Sequence, residues 1–276
     1  MHKSKEDVAQ LFHEHFGTAE NSKPEELTQF AREYLRKKYI TAGAGITGAN
    51  FLIADVGAVA LTENEGNGLM STSFPKVHVA VTGIEKILPS INHLNLFWPL
   101  LAHHGTGQKT TVYNSLFFGP KTAEESDGPA YMYVVLLDNG RTNLYQQKEQ
   151  QQALKCIKCG ACLNACPVYK NIGGYTYNSV YSGPIGSVIT PHLESLKDYK
   201  HLSFASSLCG KCTEVCPVKI DLHRLLLLNR RDAVNKGFTP VIEKGIMHGY
   251  QFASLHRNIF DFGHYKARNR IAQLVL

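Results

Sequence analysis

The sequence predicts an α/β domain followed by a smaller, all-α domain built around cysteines. Two observations carry that reading. Up to about residue 147, short β-branched runs alternate with stretches of helical periodicity, the pattern of mixed layers. Beyond it, all seven cysteines of the 276-residue chain fall in two motifs that lead into helical segments. An apolar content of 43% is ordinary for a globular protein, and the length suits about two domains.

Taken in order, Ser22-Lys23-Pro24-Glu25 reads as a capping box, and Leu27, Phe30, Ala31, Tyr34 and Leu35 follow at helical spacing. A one-sided helix to about Tyr39 is expected. Gly43-Ala44-Gly45-Ile46-Thr47-Gly48 spells GxGxxG, but it follows a helix and precedes the β-like run Phe51-Leu52-Ile53-Ala54. That reverses the strand-then-helix order of a dinucleotide site, so these glycines are expected in a turn. Asp55-Val56-Gly57 should turn the run into a second strand, Ala58 to Leu61, and Glu63-Asn64-Glu65-Gly66-Asn67-Gly68 reads as a plain turn. Further strands are expected at Val77 to Val81, at Val112-Tyr113 and at Tyr131 to Leu137, the last closed by a tight turn at Asn139-Gly140. Between them, Ser90 to His103 reads as a helix interrupted at Pro99. The glutamine-rich stretch Arg141 to Lys155 lacks Pro and Gly and predicts one helix running straight into the first cysteine motif. Asp221 should cap a helix from Leu222 to Asn235, closed by Gly237, with another starting near Pro240. The expected division is therefore an α/β domain over 1–147, a helical cysteine domain over 148–240, and a basic helical extension over 241–276.

The cysteines carry the chemistry. Cys156, Cys159, Cys162 and Cys166 spell CxxCxxCxxxCP, and Cys209, Cys212 and Cys216 spell CxxCxxxCP. Three thiols two residues apart wrap one face of an iron–sulfur cube, while a fourth, set off by three residues and followed by proline, points to a neighbouring cluster. Two clusters are implied, with crossed ligands. Cys156, Cys159, Cys162 and Cys216 should hold the first, and Cys166, Cys209 and Cys212 the second. Counting back from Cys209 by the motif's own step, the missing ligand position of the second is Ser206. The second centre is thus expected to be either a four-iron cube with one non-cysteine ligand or a three-iron cluster. The competing reading is zinc, but seven thiols divide badly between tetrahedral four-cysteine sites. A disulfide framework suits small secreted domains, and no signal peptide is visible, so a reducing, cytosolic setting is expected.

The net charge of +6 lies after the last cysteine: residues 217–276 hold ten Lys or Arg against four Asp or Glu. A solvated face or a surface for an acidic partner accounts for it without nucleic-acid binding. Apolar runs such as Leu225 to Leu228 fall far short of the roughly 20 residues of a membrane span, leaving at most peripheral contact. His13 and His15, and the adjacent His103 and His104, lack the i, i+4 spacing of a helical metal site and are expected at the surface or in packing. Neither a GxSxG elbow nor a P-loop occurs.

CIKCGACLNACPVY, GGYTYNSVYSGPIGSVITPHL and SSLCGKCTEVCPVKIDLH together resemble the iron–sulfur subunit of bacterial lactate utilisation, the lactate utilisation protein B family. GANFLIADVGAVALTENEGN, FPKVHVAVTGIEKILP and VVLLDNGR resemble that family's LUD domain. The resemblance implies a fold of the sugar-phosphate isomerase and CoA-transferase type in the first half and a ferredoxin-like, two-cluster domain in the second. It further implies a cytosolic multi-protein system oxidising L-lactate to pyruvate, in which this subunit carries electrons. Its ligand positions match all seven cysteines, including the gap at Ser206. Family members normally have a long segment ahead of the position of Met1, so the LUD domain is expected to lack its front portion and to expose an unpaired edge or apolar face. That suggests a split gene, a fragment, or a partner that completes the fold. Ile271 to Leu276 would similarly form an apolar stub. A function of another class, a structural metal-binding adaptor without redox turnover, stands as the alternative. An enzymatic role of the LUD part on a small phosphorylated or acyl substrate rests on fold analogy alone.

Overall fold

The computed structural model describes residues 3–256 and 258–259. The expected apolar stub at Ile271 to Leu276 lies outside them. Two helices come first. Helix α1 (Lys5–Phe16) starts at a true capping box, Ser4 Oγ accepting from Asp7 N and Asp7 Oδ2 from Ser4 N, and ends at left-handed Gly17. Helix α2 (Pro24–Thr41) is the expected one, but its box is shifted by one residue. Lys23 is the cap and its N–H donates to Glu26, while Ser22 Oγ donates to Ala19 O.

The glycine-rich segment is a correction. Ala44–Gly48 is strand β1, not a turn. Gly45 is needed there because a Cβ would stand 1.9 Å from the carbonyl oxygen of Ser71, at the end of the helix that packs on the strand. Gly45→Ala should therefore cost about 1–3 kcal/mol through forced separation. A lowered urea midpoint would show it; an unchanged one would mean the contact yields freely.

Strands β2 (Phe51–Ile53) and β3 (Ala58–Glu63) form the expected antiparallel hairpin. The acidic loop after it opens α3 (Asn67–Ser73), whose N-terminus is capped by Glu63, its carboxylate accepting from Gly68 N and Leu69 N. Strands β4 (Val77–Gly83) and β5 (Ile87–Leu88) follow, then α4 (Leu94–Thr106). Pro99 does not interrupt α4. Leu94 on one side of it and Leu101 and Ala102 on the other are all buried, and that anchoring outweighs the one lost backbone hydrogen bond. Strands β6 (Tyr113–Phe117) and β7 (Tyr131–Leu137) complete two sheets. One is all parallel in the order β1-β4-β7, and the other is mixed in the order β5-β2-β3-β6. Such a parallel strand is ordinarily covered on both faces. β7 instead is an edge strand, and Tyr133, Val134, Val135 and Leu136, which alternate between its faces, are all exposed.

The second half is helical: α5 (Arg141–Gln146), α6 (Ala161–Ala165), α7 (Pro167–Ile172), α8 (Gly183–Leu193), α9 (Leu196–Phe204), α10 (Lys211–Glu214), α11 (Leu222–Asn235) and α12 (Val241–Leu255). Helix α8 is its axis, with nine of eleven residues buried. Asn229 of α11 locks onto it, donating to Val188 O and meeting His192 Nε2 through Oδ1. The single helix expected over 141–155 is broken. Gln147 turns extended, and a 3₁₀ turn covers Gln151–Lys155. Leu144 and Ala153, nine positions apart, would face opposite sides of a helix with 3.6 residues per turn, yet both are fully buried in the same core. The break turns both inward, and Gln150 holds it by donating to Asp232 at 2.6 Å. Helix α11 has the expected limits, but Asp221 makes no side-chain capping bond and lies 3.0 Å from His223 instead.

The two halves interlock. Ile157 and Val218 from the cysteine motifs pack on the core formed by Phe51, Ile53, Leu94 and Leu101. Arg141 reaches back to Glu85, 2.6 Å away with both side chains almost fully buried.

Candidate metal centres

The cysteine motifs fold as two copies of one device, fifty residues apart. Cys156, Lys158, Cys159, Gly160, Cys162 and Cys166 correspond to Ser206, Leu208, Cys209, Gly210, Cys212 and Cys216. The correspondence extends to the backbone. Lys158 and Leu208 both adopt left-handed angles, φ 60° and 55°, as do Gly160 and Gly210. For a lysine and a leucine that is an uncommon conformation. It aims the amide inward: Lys158 N donates to Cys156 Sγ at 3.3 Å, and Leu208 N donates to Ser206 Oγ at 3.2 Å. The Ser206 hydroxyl thus occupies the place in the second copy that the Cys156 thiol occupies in the first. Each copy then opens a short helix, α6 carrying Cys162 or α10 carrying Cys212. The last sulfur of each copy also accepts a backbone N–H, Cys166 from Tyr169 and Cys216 from Ile220, both at 3.4 Å.

Cys156, Cys159, Cys162 and Cys216 line one cavity of about 200 Å³, walled by Ile185, Val218 and other apolar side chains. A second cavity of about 170 Å³ is lined by Cys166, Ser206, Thr176, Tyr177 and His201. Neither Cys212, which is buried, nor Cys209, which is exposed, lines either cavity. His13, His15, His103 and His104 line neither as well.

All seven thiols are unpaired. Burial pushes Cys162 up to about 12 and also raises Cys156, Cys159 and Cys212, so as bare thiols these groups would resist ionising. A bound metal core reverses that balance, since its positive charge deprotonates coordinating thiols. Cys209, outside the cavities, is held below its ordinary range by the Lys211 N–H. Among the described residues no group of three or more His, Cys, Asp or Glu is already placed around a single metal ion. Soft sulfur donors around a small apolar cavity, the last of each motif steadied by an amide, suit an iron–sulfur cluster.

Two residues that the sequence did not mark stand beside the first cavity. Lys86, from the turn between β4 and β5, donates to the Cys156 carbonyl, and burial lowers its ammonium to about 8. Tyr181 accepts from Arg141 Nη2 at 3.3 Å and carries the Lys158 ammonium 3.8 Å over its ring. Their partners lie 23 to 70 residues away in sequence, so no local pattern signals them.

Residues 1–137 match the family described as LUD domain, and residues 152–220 the 4Fe-4S dicluster domain. The chain is 45% identical over 264 residues to lactate utilization protein B of Bacillus licheniformis and 44% identical over 264 residues to that of Bacillus subtilis. Each match covers 95% of this chain and 55% of the relative, so the chain spans about half the length of the curated relatives it matches. A solved duf162 family protein from Deinococcus radiodurans is 16% identical, covering 37% of this chain and 57% of that one at a TM-score of 0.28.

Proposed function

The chain belongs to the lactate utilisation protein B family, a LUD domain followed by a 4Fe-4S dicluster domain, and on that basis we propose that it is the electron-carrying subunit of a lactate-oxidising system. The observation that carries this reading is the single cavity shared by Cys156, Cys159 and Cys162 with Cys216 from the other motif. Bound there, an iron–sulfur cluster supplies one-electron chemistry, and the chain's own residues hold it, exclude water and set its potential. Cys166, Cys209 and Cys212, with Ser206 in the fourth place, would hold a second cluster, of four irons or three. The exposed Cys209 must swing inward to join that set. Two neighbouring centres of this kind fit a relay, in which lactate gives up its electrons on another subunit. The division into 1–147, 148–240 and 241–276, a first domain of the sugar-phosphate isomerase and CoA-transferase type, and a cytoplasmic setting belong to the same proposal. No described helix is long and apolar enough to cross a membrane.

Anaerobically isolated protein should carry about seven or eight irons with matching acid-labile sulfide, reducible by lactate only when its partner subunits are added. Zinc without iron would overturn the relay in favour of a structural adaptor. The second centre has its own test. Ser206→Cys should add a thiolate where Ser206 Oγ now stands, and the added negative charge should lower that centre's midpoint potential. Potentiometric titration followed by EPR reads the change; equal midpoints in both proteins would remove Ser206 from the ligand set.

A further inference from the structure

Lys86 is a buried cation with no carboxylate among the described residues in hydrogen-bond contact. Its side chain is 8% exposed, in a 3₁₀ turn of the first domain, and its ammonium points across the junction to the Cys156 carbonyl. The adjacent Glu85 turns away to pair with Arg141, so the carbonyl is the ammonium's hydrogen-bond acceptor. Burying a cation without a carboxylate is costly unless some other negative charge faces it. Glu85 lies close enough to favour the cation but is itself paired with Arg141, and the other negative charge facing Lys86 would come from the sulfurs of Cys156 and Cys159. Lys158, also nearby, sits over the Tyr181 ring at the cavity mouth.

We infer that Lys86 is a positioning residue of the redox centre, a buried cation lent by the first domain that raises the midpoint potential of the cluster held by Cys156, Cys159, Cys162 and Cys216. This deepens the cluster reading above and rests on it. Adding an electron makes the cluster more negative, and a fixed positive charge in a dry, weakly screening wall favours the reduced state. The hydrogen bond to Cys156 O also holds the first ligand's backbone where its Sγ meets the Lys158 amide. The α/β domain is then part of the electron carrier and not merely appended to it.

The test compares anaerobically purified wild type, Lys86→Gln and Lys86→Arg by iron and sulfide content and by potentiometric EPR. Glutamine keeps a donor for the carbonyl but removes the charge; arginine keeps both. The expected result is full cluster content in all three, with the first cluster's midpoint more negative in Lys86→Gln, near wild type in Lys86→Arg, and the second cluster's unmoved. An unchanged midpoint in Lys86→Gln overturns the inference, as does loss of the first cluster in Lys86→Gln with retention in Lys86→Arg, which would assign Lys86 a purely structural role. Wild-type protein without iron or sulfide would instead defeat the cluster reading itself.

Discussion

Replacing Cys216 with alanine should remove the cluster assigned to the first motif, although Cys216 lies 50 residues beyond that motif's last cysteine. Cys216 lines the same cavity as Cys156, Cys159 and Cys162, and its thiol is 7% exposed in the core between α8 and α11. With one of four sulfurs gone, iron per chain should fall by about four, and the EPR signal that remains should be that of the centre at Cys166, Cys209 and Cys212. Cys166→Ala should do the converse. If Cys216→Ala instead spared the first centre and destroyed the second, each motif would hold its own cluster, and the cavity shared across motifs would have no role in ligation.

The second large effect is on stability. Arg141 and Glu85 form an ion pair of 2.6 Å with side chains 4% and 5% exposed, and Arg141 also donates to Asp138 O and Tyr181 OH. Arg141→Met would leave the Glu85 carboxylate buried without a cation, which costs about 3–5 kcal/mol when a buried pair is broken. The double variant Glu85→Gln, Arg141→Met should recover much of that loss, because neither side then keeps an unpaired charge. Urea unfolding of the single and double variants measures both. Equal destabilisation of the two would mean that Arg141 acts through its carbonyl and tyrosine contacts instead of through its charge. The pair joins the turn after β4 to α5 and stands beside Lys86, so its loss should also disturb the wall of the first cavity.

Much of the fold was legible because the signals were local. Strand β7 and helix α11 have the limits read from residue type, since a β-branched run between turn residues and an apolar period ending at Gly237 each specify their element within a few positions. The expectations that failed did so where packing decided. Pro99 stays inside α4 because buried leucines anchor both sides of it. The helix expected at Arg141 to Lys155 breaks because Leu144 and Ala153 must face one core. Gly45 sits in a strand because the backbone of Ser71 leaves no room for a side chain, a contact that nothing near Gly45 announces.

The motifs alone named the chemistry. Seven thiols at steps of two and three residues, a serine in the eighth place and prolines after Cys166 and Cys216 follow from covalent spacing, which local geometry enforces wherever the segment goes. Which atoms surround that chemistry was settled only by the tertiary structure: Cys216 in the first cavity, Ser206 Oγ under the Leu208 amide, and Lys86 pressed against Cys156 from the other domain. The physical reason is range. Hydrogen-bonded turns act over three or four residues and can be read from neighbours in sequence, whereas burial and unscreened charge act between whatever surfaces the packed core brings together.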